Sequence, residues 1–108
     1  PFGVKQEMHT GIDLAAPYGT PIKAAGDGRV VFAETKPAYG RLVMIDHGNG
    51  MITHYGHNSK LLVEEGDLVQ KGDIIALMGS SGRSTGPHVH FALEYNGQFI
   101  NPALLLPN

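Results

Sequence analysis

Three separated fragments carry residue types that can act together: His9-Thr10-Gly11-Ile12-Asp13, Tyr55-Gly56-His57 and His88-Val89-His90. Imidazole nitrogen and carboxylate oxygen are zinc ligands, and a catalytic zinc takes three of them while leaving its fourth position to water. The fragments hold enough such groups to bind one zinc ion and leave histidines over to move protons. Metal-assisted hydrolysis is the chemistry they imply. The chain has no cysteine, so thiolate metal sites, thiol nucleophiles and disulfide scaffolds are excluded together.

Spacing constrains how these residues can meet. In a strand, residues two apart share a face with Cα atoms roughly 6.5 Å apart. His88 and His90 therefore share one face, and Val89 and Phe91 take the other, where they can pack in a core. Both histidines could ligate, or one could ligate while the other stands beside the bound water; spacing does not choose. His9 and Asp13 would lie roughly 13 Å apart in an extended chain, so Gly11 is expected to turn the backbone between them. His47, beside Gly48-Asn49-Gly50, is expected to be solvated. His54 alternates with Tyr55 and points to the other face of a regular strand, which favours a structural role over a contact at the rim of the site, and Gly56 is read as the mark of a bulge. The stretch from Gly79 through Gly82 to Gly86 lacks the lysine and the spacing of a phosphate-binding loop, and reads as a loop framing the site.

The elements that must position these groups are strands. Residues 28–33 and 41–45 are β-branched or apolar runs bounded by Gly, Asp and Pro. Asn49-Gly50 and Asn96-Gly97 supply the positive φ angles of tight hairpins, the first leading into 51–55 and the second joining 89–95 to 98–100. Residues 66–79 contain two Gly-Asp corners, each followed by apolar residues, which implies short strands turning sharply. Helical turns are expected only at 103–106 and within 58–62, too short to build a layer. The fold class is mostly β, an antiparallel sheet domain.

The 108 residues, 42% of them hydrophobic, suffice for a single domain with its own core. A formal net charge of -2 offers no basic face for nucleic acid and no polybasic membrane anchor. No run approaches the roughly 18 apolar residues of a transmembrane helix. The chain opens at Pro1 and enters a motif within ten residues, which reads as one domain, 1–108, excised from a longer exported protein.

The order His9-Thr10-Gly11-Ile12-Asp13, then Gly40 through Tyr55-Gly56-His57, then Gly82-Arg83-Ser84-Thr85-Gly86-Pro87-His88-Val89-His90-Phe91 resembles the lysostaphin-type or LytM-type zinc metallopeptidases, family M23. The resemblance covers nearly the whole chain. It implies that His9, Asp13 and His90 bind one zinc ion and that His57 and His88 serve catalysis, with none of the five replaced. It also implies the LytM/lysostaphin-like, duplicated hybrid motif fold with a loop-walled groove. The implied substrate is the stem or bridge peptide of peptidoglycan outside the cytoplasm, and the implied control is an inhibitory pro-segment or regulatory partner beyond this chain. Of the two catalytic histidines, His88 is favoured as the base.

Two rival classes are set beside the endopeptidase. A non-catalytic peptidoglycan-binding or amidase-activator module would be expected to have lost ligands, and here all are present. A biotinyl or lipoyl carrier is suggested by Glu65-Gly66-Asp67-Leu68-Val69-Gln70-Lys71-Gly72-Asp73, but Met78-Gly79-Ser80-Ser81 stands where the attachment lysine belongs. That likeness is kept as a folding cue.

Overall fold

The computed structural model describes residues 3–6, 12–79 and 88–100, which form strands and turns with no helix among them. In chain order the strands are β1 (Gly3–Gln6), β2 (Ile12–Ala15), β3 (Pro21–Lys23), β4 (Gly28–Lys36), β5 (Gly40–Gly48), β6 (Met51–Leu61), β7 (Leu68–Val69), β8 (Ile74–Met78), β9 (His88–Tyr95) and β10 (Gln98–Ile100). Every pairing is antiparallel, along β1-β2-β9-β6-β5-β4-β7, with β10 on β9 and β8 joining β3 to β6. The central strand is β6, which pairs with β5, β9 and β8.

Local sequence explains the corners. Asn49 and Gly50 have φ of 54° and 82°, and Asn96 and Gly97 have 51° and 84°, the two positive values that a tight primed hairpin turn requires. The two Gly-Asp corners repeat one turn. In each, the glycine takes a positive φ (98° at Gly66, 91° at Gly72), and the following Asp N–H donates to the carbonyl three residues back (Asp67 to Glu64, 3.1 Å; Asp73 to Gln70, 2.9 Å). The Asp carboxylate then accepts the backbone N–H of that same residue, at 2.9 Å from Glu64 and 2.8 Å from Gln70. Glycine at the third position is what a type II turn demands, and the Asp side chain closes it.

The alternation of side chains sorts the sheet into two faces. One face carries the core: Val30, Val43, Ile45, Tyr55, Ile75, Met78 and Val89 are buried together. Directly opposed residues share a face. The opposite face can therefore be followed from His90 and Ala92 to His54, which opposes Ala92, to Met44, which opposes His54, and to Phe32, which opposes Met44.

Three expectations change. Residues 58–62 form no helical turn, because β6 continues to Leu61 and pairs Asn58, Lys60 and Leu61 with β8. The Asn58 amide donates to the carbonyls of Tyr55 and Arg41, which ties the strand down where a helix was expected. His47 is half-buried rather than solvated: Nδ1 donates to the Asp27 carbonyl at 2.8 Å, and Nε2 lies 2.6 Å from the Thr53 hydroxyl. That chain continues through Thr53 and Tyr55 to the Ala25 N–H, so the turn after β3 is fastened to β6 by side chains. Finally, β4 and β5 run longer than expected, because Glu34, Thr35 and Lys36 keep pairing outside the core with Leu42, Arg41 and Gly40. The expected turn at Gly11, the loop 80–86 and the helical turn at 103–106 fall outside the described residues.

Candidate active site

Strand β9 places His88 and His90 two positions apart, and the strands on either side bring the other candidates to it. On one side Asp13 of β2 lies directly opposite His90, and Ala15 opposite His88. Opposed residues in an antiparallel pair have Cα atoms about 4.5–5.5 Å apart. On the other side Gly56 of β6 opposes His90. His90 is thus flanked in register by Asp13 and by the residue before His57.

His57 reaches this place through a bulge. Arg41 opposes Asn58 and Val43 opposes Tyr55, so Leu42 of β5 faces two residues of β6, Gly56 and His57. Without that extra residue, His57 would fall on the same face as Tyr55, inside the core. A bulge re-aims a side chain, and here the His57 ring lies 6.1 Å from the His90 ring, centroid to centroid, at an interplanar angle of 69°. The cost is visible in the backbone: His57 has φ of 65°, left-handed for a non-glycine residue. Its N–H donates to the Tyr39 carbonyl at 2.7 Å, which holds the bulge in place. A Cβ at position 56 would sit 3.4 Å from that same carbonyl, an ordinary van der Waals contact, so the bulge is held by the hydrogen bond rather than by the lack of a side chain there.

Both imidazoles are buried, each 7% exposed. Tyr39, at the β4–β5 turn, lies beside His90, with its ring 6.0 Å from that of the histidine. Sequence reasoning did not single out Tyr39; the available signal was an aromatic residue just before Gly40 at the start of a strand that feeds the site. His54 lies on the face that carries His90 and is structural, as expected. Its Nε2 is 3.1 Å from Glu94 Oε1 and its ring 5.1 Å from Phe99. Burial pushes the His54 pKa down, Glu94 opposes that shift, and the charges of Lys36 and His90 add to it.

His9 and the turn at Gly11 fall outside the described residues, and the positions of Asp13 and His88 are known from their backbones. No group of three or more His, Cys, Asp or Glu suited to a metal gathers among the described residues. The donor chemistry nevertheless fits zinc: a carboxylate-bearing residue stands in register against a buried histidine, with a second buried imidazole beside it. A separate cavity of about 470 Å³ lies on the core face, lined by Leu14, Ile22, Tyr55, Val89 and Phe91 among others, and it is not where the histidines meet.

The sequence profile of peptidase family M23 matches residues 7–102. The chain is 47% identical over 109 residues to the DD-carboxypeptidase/endopeptidase Mpg of Neisseria meningitidis serogroup B, covering 94% of this chain and 25% of that protein. Among solved structures, it is similar to the catalytic domain of the antimicrobial peptidase lysostaphin from Staphylococcus simulans, with 34% identity, a TM-score of 0.85 and coverage of 97% and 84% of the two chains. It is also similar to a zinc-containing peptidase from Vibrio cholerae, with 36% identity, a TM-score of 0.82 and coverage of 92% and 33%. The chain spans about a quarter of the length of the curated Neisseria and Vibrio cholerae relatives it matches.

Proposed function

The chain belongs to peptidase family M23, and from that membership we propose that it is a zinc-dependent endopeptidase that hydrolyses peptide cross-links of bacterial peptidoglycan outside the cytoplasm. The observation that carries this reading is the meeting of His57 and His90 across a bulge, beside the register pair of Asp13 and His90. A relative named as a DD-carboxypeptidase/endopeptidase supports the peptidase activity, and one named as a peptidoglycan DD-endopeptidase supports the substrate class.

In this reading His9, Asp13 and His90 hold the zinc, while His57 and His88 remain outside the ligand set. Bound there, zinc supplies Lewis acidity toward the scissile carbonyl and a more acidic water at neutral pH. The protein's own part is proton movement. One imidazole, His88 in our assignment, accepts the proton of the attacking water and returns it to the leaving amine nitrogen, a contribution of roughly 10²–10⁴ in rate. The imidazole of His57, whose backbone N–H is anchored to the Tyr39 carbonyl, donates toward the oxygen that gains negative charge. Burial of His57 and His90 keeps bulk water from competing for those positions.

The test is digestion of cross-linked muropeptides followed by mass spectrometry. Dimers should convert to monomers with one new amine and one new carboxylate per cut, and the activity should disappear with a chelator and return with zinc. New reducing sugar ends, or release of whole stem peptides from the glycan, would replace the endopeptidase reading with a glycosidase or an amidase. Inertness of the zinc-loaded chain on D-alanyl and glycyl cross-links alike would favour a binding module.

A further inference from the structure

On the face that carries His90, the β4–β5 hairpin brings a cation to the end of the sheet where His57 and His90 meet. Lys36 opposes Gly40 at the closing pair of that hairpin, and Phe32, Glu34 and Lys36 alternate onto one face of β4. The Lys36 ammonium stands 5.9 Å from the centroid of the Tyr39 ring and 6.0 Å from that of Phe32. Tyr39 in turn lies against His90. The charge therefore sits one aromatic ring away from the buried histidines, and it is felt as far as His54, whose protonation it opposes.

Lys36 has no carboxylate partner among the described residues. The ion pair on this face is His54 with Glu94, and Glu34, two residues from Lys36 on the same strand face, makes no bridge to it. Two aromatic rings attract the ammonium through their faces without cancelling its charge. A positioned cation with no carboxylate partner among the described residues, beside a peptide-cleaving site, is arranged for an anionic substrate. We propose that Lys36, held on Tyr39 and Phe32, binds a free carboxylate of the peptide on a residue flanking the scissile bond. The inference rests on the cross-link hydrolase reading and sharpens it: a D-alanyl cross-link to a diamino diacid carries such a carboxylate, whereas an oligoglycine bridge is neutral there.

Steady-state kinetics on two D-alanyl–diaminopimelate muropeptide dimers tests this, one with free carboxylates and one with those carboxylates amidated. A hydrogen bond to a charged group contributes about 1.5–3 kcal/mol. Lys36→Met, which keeps the stem over the rings, should therefore lower kcat/KM on the free-carboxylate dimer roughly tenfold or more, mainly through KM. Lys36→Arg should restore most of it. Amidation of the substrate should cost the wild type a similar factor, and the two losses should not add. Equal losses by Lys36→Met on both dimers would overturn the inference while leaving the hydrolase reading in place. Inactivity of the zinc-loaded wild type on both dimers would overturn the inference, and inertness on a glycyl cross-link as well would overturn the hydrolase reading with it.

Discussion

His57 and His90 stand with ring centroids 6.1 Å apart although their strands, taken as regular ladders, would put them on opposite faces of the sheet. The bulge at Gly56-His57 resolves that conflict, and it stores strain at His57, whose φ of 65° suits Asn or Gly better than His. The site is thus built by one extra residue in the central strand.

From this follows a separation of fold from chemistry at position 57. His57→Asn tolerates the left-handed backbone, so the protein should keep its thermal stability and its zinc. The rate of cross-link hydrolysis should fall by roughly 10²–10³, the size of a lost oxyanion donor. Metal analysis and single-turnover rates on the purified variant check both halves, and near wild-type turnover would remove His57 from the catalytic set.

Acid should weaken the fold partly through His54. Its folded pKa lies below the ordinary histidine value because burial outweighs the Glu94 partner. The unfolded chain then binds the proton more readily, so stability present above the unfolded pKa of about 6.5 is lost as pH falls through it. Urea titrations of the metal-free protein between pH 8 and about pH 5 should show this loss, and His54→Gln should flatten the slope. An unchanged slope in that variant would contradict the assignment.

Two glycines separate steric from conformational cost. A Cβ at Gly79 would sit 2.5 Å from the backbone nitrogen of Ser59 and 2.7 Å from its Cα, so the β6–β8 contact would have to open. Gly79→Ala should cost about 1–3 kcal/mol, as overpacking does. Gly66 has nothing within 4 Å of its Cβ position but a φ of 98°, and Gly66→Asn, a residue that tolerates positive φ, should cost less. Thermal melts of the two variants measured side by side check the order.

Much of this was legible because it is local. Asn49-Gly50, Asn96-Gly97 and the two Gly-Asp corners announce their turns by backbone chemistry, and the turns fix which strands pair. The alternation of His88 and His90 with Val89 placed both histidines on one face before any pairing was known. What could not be read depends on register. That Asp13 opposes His90, that Leu42 faces two residues of β6, and that Tyr39 lies against His90 are relations between strands distant in sequence. The helical turn expected at 58–62 failed for the same reason, since pairing with β8 overrides the local preference. The strands β1, β2 and β3 were missed because short segments interrupted by Gly and Pro carry little periodic signal.

The central claim is a division of labour: His9, Asp13 and His90 hold one zinc, while His88 moves the proton and His57 stabilises the oxyanion, neither of them holding the metal. Zinc stoichiometry after exhaustive dialysis, measured on folded His90→Ala and His88→Ala in parallel, tests it most directly. The account predicts a marked loss of zinc from His90→Ala, and about one zinc per chain retained by a His88→Ala protein that has lost most of its activity. Full zinc occupancy in His90→Ala, or equal loss from both variants, would contradict it.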